Sequence, residues 1–273
     1  MNHHSHHQLS GNNWVDWIPV LLICMGGLYY LFSYVYLISK GYKWRIWQVL
    51  SFLSGIVLLI VALLPSMMHW GHSDMRGHMV QHLLIAMYAP IFLVMGAPIT
   101  LTLKVLPTKF SRCFFSIVKT RFFWFAAHPM TAFFLNIGGM YLLYLTPLYS
   151  ESFKYPVLHY IIHMHFLASG YLFTWSIIGP DPAPNRPGFF IRLAMLFFSI
   201  SAHGFLSKLM YAYLLPENSP HNNFQIQEGA KLMYYWGDLS EIILAIILFL
   251  FWYYNKDRAE QNITLLKAPK IGV

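Results

Sequence analysis

Seven apolar runs fill most of this 273-residue chain: Trp17–Ile38, Ile46–Leu64, Met79–Leu103, Phe123–Thr146, Val157–Ile178, Phe190–Leu214 and Leu232–Tyr254. Each approaches or exceeds the ~20 residues of helix needed to cross the hydrocarbon core of a bilayer. In lipid every backbone N–H and C=O must find a partner within the chain, so such runs predict helices. The expected fold class is an all-α integral membrane protein, a seven-transmembrane helical bundle. No segment between the runs is long enough to bury a core of its own. The expected organisation is an extracytoplasmic His-rich N-terminal tail (residues 1–16), a seven-span transmembrane domain (17–255) and a cytoplasmic C-terminal tail (256–273).

Composition agrees. Hydrophobic residues make up 57% of the chain and charged residues 10%, where a soluble domain carries roughly a quarter charged residues. Lys and Arg outnumber Asp and Glu by 18 to 10, but they cluster in short segments between the runs. That is the pattern of loop charges that orient a membrane protein, not a basic face for nucleic acid. Of the two cysteines, Cys24 lies in an apolar run and Cys113 in a basic loop, so neither a disulfide nor a Cys-based metal motif is expected. The segment MNHHSHHQ lacks a basic stretch followed by an apolar one and is not read as a signal peptide. Its His3, His4, His6 and His7 offer a weak metal-catching segment.

The basic residues also set orientation. Fourteen fall on one side: Lys40, Lys43, Arg45, Lys104, Lys109, Arg112, Lys119, Arg121, Arg186, Arg192, Lys256, Arg258, Lys267 and Lys270. The other side holds four: Arg76, Lys154, Lys208 and Lys231. The positive-inside rule then places the N-terminus outside and the C-terminus in the cytoplasm, as an odd number of spans requires.

Orientation gives each histidine a depth. His69 and His72 lie in the outer loop PSMMHWGHSDMRG, and His78 and His82 open the third span from that side. The fifth span, VLHYIIHMHFLASG, also starts outside and carries His159 and His163, with His165 on another face. His203 sits near the middle of the sixth span, and Asp238 and Glu241 lie in the outer half of the seventh. Residues four apart share a helix face, so each His pair can address one neighbour. Ionisable groups in a span cost roughly 2.5–3.5 kcal/mol each when charged, and normally face the interior along a functional path. A lone His69, His72 or His165 is explained by the headgroup region, and a His203–Asp238 pair by helix–helix adhesion. Two i,i+4 pairs and His203 at one depth favour function. His128 stands apart, near the cytoplasmic face.

Neutral imidazole binds zinc, copper, iron and nickel, and a neighbouring Met such as Met75 or Met79 tilts a site towards copper(I). Asp238 and Glu241 are candidates to orient the imidazoles by hydrogen bonding. Haem held between two histidines is the competing cofactor, although the inner side offers only His128 for a second macrocycle. A proton-coupled transporter is the other alternative, but it would need polar groups through the full depth. No Ser–His or HExxH pattern supports a hydrolase, and the chain is not read as an enzyme.

Taken in order, HMVQHLLIAMYAPIFLVMGAPITL, His128–Pro129, HYIIHMHFLASGYLFTW, GPDPAP with Arg186, SAHGFLSKL and EGAKLMYYWGDLSEI resemble the multi-span CtaG-type cytochrome c oxidase assembly factors of bacteria. The likeness runs from about Pro65 to Glu241. It implies a multi-pass plasma-membrane protein that aids maturation of an aa3- or caa3-type oxidase, through its copper. The oxidase subunits and the lipid bilayer are the implied partners, and a homo-oligomer is compatible. The family's histidines carry over onto His78, His82, His128, His159, His163 and His203, and its acidic position onto Asp238. One departure stands out: Leu145 and Thr146 occupy positions where the family often has Trp–His before Pro–Leu–Tyr. The expected ligands are His78, His82, His159, His163 and His203, with Asp238, Glu241, Met79, His69 and His72 as auxiliaries. The dinuclear copper centre of oxidase subunit II is assembled on the outer side, where these residues are expected.

Overall fold

The computed structural model describes residues 14–118, 120–182 and 186–267, all helix, turn or loop, with no strand among them. The His-rich N-terminal residues lie outside this set. The helices are α1 (Ile18–Ser39), α2 (Ile46–Leu63), α3 (Pro65–Ser73), α4 (Met75–Met95), α5 (Pro98–Val105), α6 (Thr108–Val118), α7 (Arg121–Ala126), α8 (Pro129–Leu145), α9 (Leu148–Lys154), α10 (Pro156–Ile178), α11 (Phe189–Tyr213) and α12 (Asn223–Lys267). Six of them, α1, α2, α4, α10, α11 and α12, are long and apolar enough to cross a membrane. A seventh crossing exists if α8 and α9, bent by 76° at their junction, are counted as one span.

Four expectations are revised. The run Met79–Leu103 is two helices: Ala97 adopts a left-handed conformation (φ 49°) that ends α4, and Pro98 opens α5. A proline fits the first turn of a helix because its missing N–H would have no intrahelical partner there. The run Phe123–Thr146 yields its long helix only from Pro129, after the short α7. The segment PSMMHWGHS is helix α3, not loop, so His69 and His72 sit on an ordered element. The seventh run, Leu232–Tyr254, is part of α12, which starts at Asn223 and continues past residue 256 to Lys267.

The bundle is built around α4 and α10, whose apolar windows are 72% and 61% buried, against 22% for α1. α4 packs on α2, α3, α10 and α12; α8 packs on α10 and α11. The outward faces are apolar, with Leu21, Phe32, Leu50, Phe197 and Ile246 exposed. Water would penalise such a surface and lipid does not.

Inside α4, residues Leu84–Tyr88 form a π turn, and the N–H of Ala89 reaches back to the carbonyl of Leu84. The cause follows at once in the chain: Pro90 has no N–H for the carbonyl of Ala86 and its ring would collide with it in an ordinary helix. The wider turn relieves that collision. The freed Ala86 carbonyl faces Gly170 of α10, where a Cβ would overlap it. Glycine there lets the two central helices meet.

Candidate metal centre

The start of α4 is fixed by Asp74, whose side chain accepts the Arg76 backbone N–H at 2.9 Å and pairs with the Arg76 guanidinium. That guanidinium holds the Asp74 carboxyl below the usual carboxylate range. One and two turns later His78 and His82 project from one face, both buried. On α10, His159 and His163 are likewise buried on one face, with ring centroids 4.2 Å apart. The His72 ring lies 4.5 Å from that of His159. Its Nδ1 donates to the Met68 carbonyl at 2.7 Å.

The two pairs meet. His78 lies within electrostatic reach of His82, His159 and His163, and His163 within reach of His82 and His72. Methionines and tyrosines pack around His78 and His82. His82 Nε2 is 3.2 Å from Met140 Sδ, and His78 Nε2 is 3.1 Å from the Tyr144 hydroxyl, itself 3.7 Å from Met79 Sδ. The bend between α8 and α9 folds Tyr149 into the same space, its hydroxyl 3.2 Å from Met75 Sδ and 3.0 Å from His221 Nε2. His221 belongs to the connection between α11 and α12, where burial holds its ring below the ordinary imidazole value and so neutral.

Ligand competence shows in what is left unpaired. Buried polar atoms in folded proteins nearly always have a hydrogen-bond partner. Among the described residues, His82 Nδ1, His159 Nε2 and His163 Nδ1 have none. Imidazole nitrogens together with a thioether sulfur, as at His82 and Met140, form a donor set suited to a soft cation such as copper(I). The donor types suit copper(I), although among the described residues no three of these histidines bring their nitrogens within 4.8 Å of one another, as His203, Asp238 and Glu241 do with theirs.

The remaining expected residues fall elsewhere. His203 on α11 is buried beside α12, where a Cβ on Gly237 would overlap its Cε1. One donor atom each from His203, Asp238 and Glu241 lie within 4.8 Å of one another. His69 is exposed and outside the cluster. His165 is exposed and its Nε2 donates to the Leu135 carbonyl at 3.0 Å. His128 caps α8, its Nδ1 accepting the Met130 N–H at 3.2 Å.

Met140, Tyr144 and Tyr149 pack against His82 and His78, with His221 behind Tyr149, and the sequence does not single these residues out. Met140 and Tyr144 share a face of α8 by their i,i+4 spacing, a signal carried by residues that are ordinary in any apolar helix. His221 lies in a connection on the same side as His69 and His72, and that placement could have drawn attention to it.

The family model of the cytochrome c oxidase caa3 assembly factors (Caa3_CtaG) matches residues 28–255. An uncharacterized protein of Mycobacterium bovis and one of Mycobacterium tuberculosis are each 32% identical over 183 residues, 64% of this chain and 28% of theirs. An uncharacterized protein of Mycobacterium leprae is 31% identical over 189 residues, 66% of this chain and 28% of its own. The chain thus spans 28% of the length of these relatives. No solved structure matches.

Proposed function

The chain belongs to the cytochrome c oxidase caa3 assembly factor family, and on that premise we propose that it handles copper for the oxidase at its His–Met cluster. His78, His82, His159 and His163 are the proposed ligands, with Met140 as a sulfur donor. Copper is the cargo: the centre holds it as copper(I) and releases it to an oxidase subunit, without catalysis. The observation that carries this reading is the 3.2 Å approach of His82 Nε2 to Met140 Sδ, with unpaired His159 and His163 nitrogens on the neighbouring helix α10. Imidazole with thioether selects copper(I) over harder cations. The rings of Phe166 and Tyr144 stand edge-on to His82 at 4.7 and 6.2 Å. Rings this close to the imidazole favour a small ion over a haem macrocycle at His82.

We place the protein in the bacterial plasma membrane with its N-terminus and the cluster on the outer side. The charge asymmetry supports this through the positive-inside rule. From there copper reaches an oxidase centre facing the same side without crossing the bilayer. Tyr149, His221 and Met75 lie at the end of the cluster nearest the connections, the side from which copper enters.

The test is complementation. A strain lacking the gene accumulates oxidase deficient in copper, and the wild-type chain restores it. A chain carrying both His82→Ala and His163→Ala reaches the membrane in equal amount but does not restore it. Full restoration by that variant would overturn the reading.

A further inference from the structure

Among the described residues, His203 is the most enclosed histidine, at 0% exposure, and neither of its ring nitrogens has a hydrogen-bond partner. Across the α11–α12 contact it faces Asp238 and Glu241, which lie three apart on one face of α12. Glu241 is 2% exposed; its Oε1 accepts the Ser199 hydroxyl at 2.6 Å while Oε2 has no partner. Asp238 Oδ1 is unpartnered as well. Among the described residues neither carboxylate forms an ion pair. Lys208, within electrostatic reach of Asp238, sits over the Tyr234 ring at 5.3 Å instead.

Three donor groups that converge on one point and are left unpaired are costly in a bilayer interior. We propose that His203, Asp238 and Glu241 form a second cation site, separate from the His–Met cluster, that takes a divalent first-row ion such as zinc(II). The donor set is one nitrogen and two carboxylate oxygens without sulfur, which suits borderline and hard divalent ions and not copper(I). Two ionised carboxylates are neutralised by a dication, so the filled site carries no net charge into the membrane. The donor atoms lie within 4.8 Å of one another, so small side-chain rotations bring them to the ~2.0–2.2 Å that zinc requires. Gly237 is what allows it: any side chain there would push the imidazole away from α12. The site adjoins the copper centre, since His203 is within electrostatic reach of His82. It clamps α11 to α12, the helix that packs along α4.

The experiment measures zinc bound to the full chain purified in detergent and dialysed against excess zinc(II). The background is His82→Ala with His163→Ala, which removes the neighbouring cluster. That chain should retain about one zinc ion, as a buried site of full charge complement does. Adding Glu241→Gln, which keeps the shape and the Ser199 acceptor, should reduce zinc to background. If Glu241→Gln lowers the helix content by circular dichroism, the half-buried Asp238→Asn is read in its place with the same expectation. Absence of zinc from the His82/His163 background, or its retention after the carboxylate substitution, would overturn the second site. Copper(I) bound by the single Glu241→Gln variant is scored separately, and its persistence shows that the two sites stand or fall independently.

Discussion

At the scale of single residues, the centre joins side chains whose chemistry is visible in the sequence to others whose role only packing reveals. The pairs His78/His82 and His159/His163 were legible because helical spacing puts four-apart residues on one face, and imidazoles inside an apolar run need a reason. Met140 and Tyr144 were not, because a methionine or tyrosine in a span is ordinary until a neighbour from a distant helix is seen against it. The grouping of His203 with Asp238 and Glu241 rests on the register at Gly237, and no spacing rule supplies that. Two substitutions test this scale. Met140→Leu keeps the volume and removes the sulfur, and should weaken copper(I) binding roughly tenfold, about 1.4 kcal/mol, with zinc binding unchanged; equal copper affinity in a competition titration would remove Met140 from the ligand set. His128→Ala deletes a helix cap and should lower stability by ~0.5–2 kcal/mol while leaving copper stoichiometry intact, as read by thermal unfolding and metal analysis.

At the scale of elements, the apolar runs give the number and rough position of helices, and proline decides how they are interrupted. Pro98 follows a left-handed Ala97 and ends the third run early, whereas Pro90 is absorbed by a π turn. Both prolines are visible in the sequence, but which one breaks the helix depends on what receives the orphaned carbonyl. At Ala86 that neighbour is Gly170. The turn at Thr146–Pro147 arises because a residue preceding proline is pushed to extended backbone (ψ 168° at Thr146). It swings α9 across the bundle and brings Tyr149 against Met75 and His221. Gly170→Ala should therefore part α4 from α10 and destabilise the protein by ~1–3 kcal/mol, with weaker copper binding because each helix carries one His pair. An unchanged melting temperature in detergent would show that the contact does not hold the helices together.

At the scale of the whole molecule, a member of an oxidase assembly family carries buried polar residues inside an apolar bundle. The membrane class was legible from composition alone; the count of crossings was less so, because α8 is short and its bent partner α9 decides whether there are six or seven. Sidedness is open to direct test. In a chain whose native cysteines are replaced by serine, Glu217→Cys in the α11–α12 connection should react with a membrane-impermeant thiol reagent in intact cells. Tyr42→Cys, in the α1–α2 connection, should react only after lysis; the opposite pattern would put the centre on the cytoplasmic side.

The proposed copper site is formed by the paired histidines of α4 and α10. Metal analysis of the purified full chain, loaded with copper(I) and then dialysed, tests it most directly. Wild-type protein should retain copper in integral stoichiometry, about one ion per chain as for a preformed buried site, and the His82→Ala/His163→Ala variant should retain none. Full retention of copper by that variant would contradict the claim.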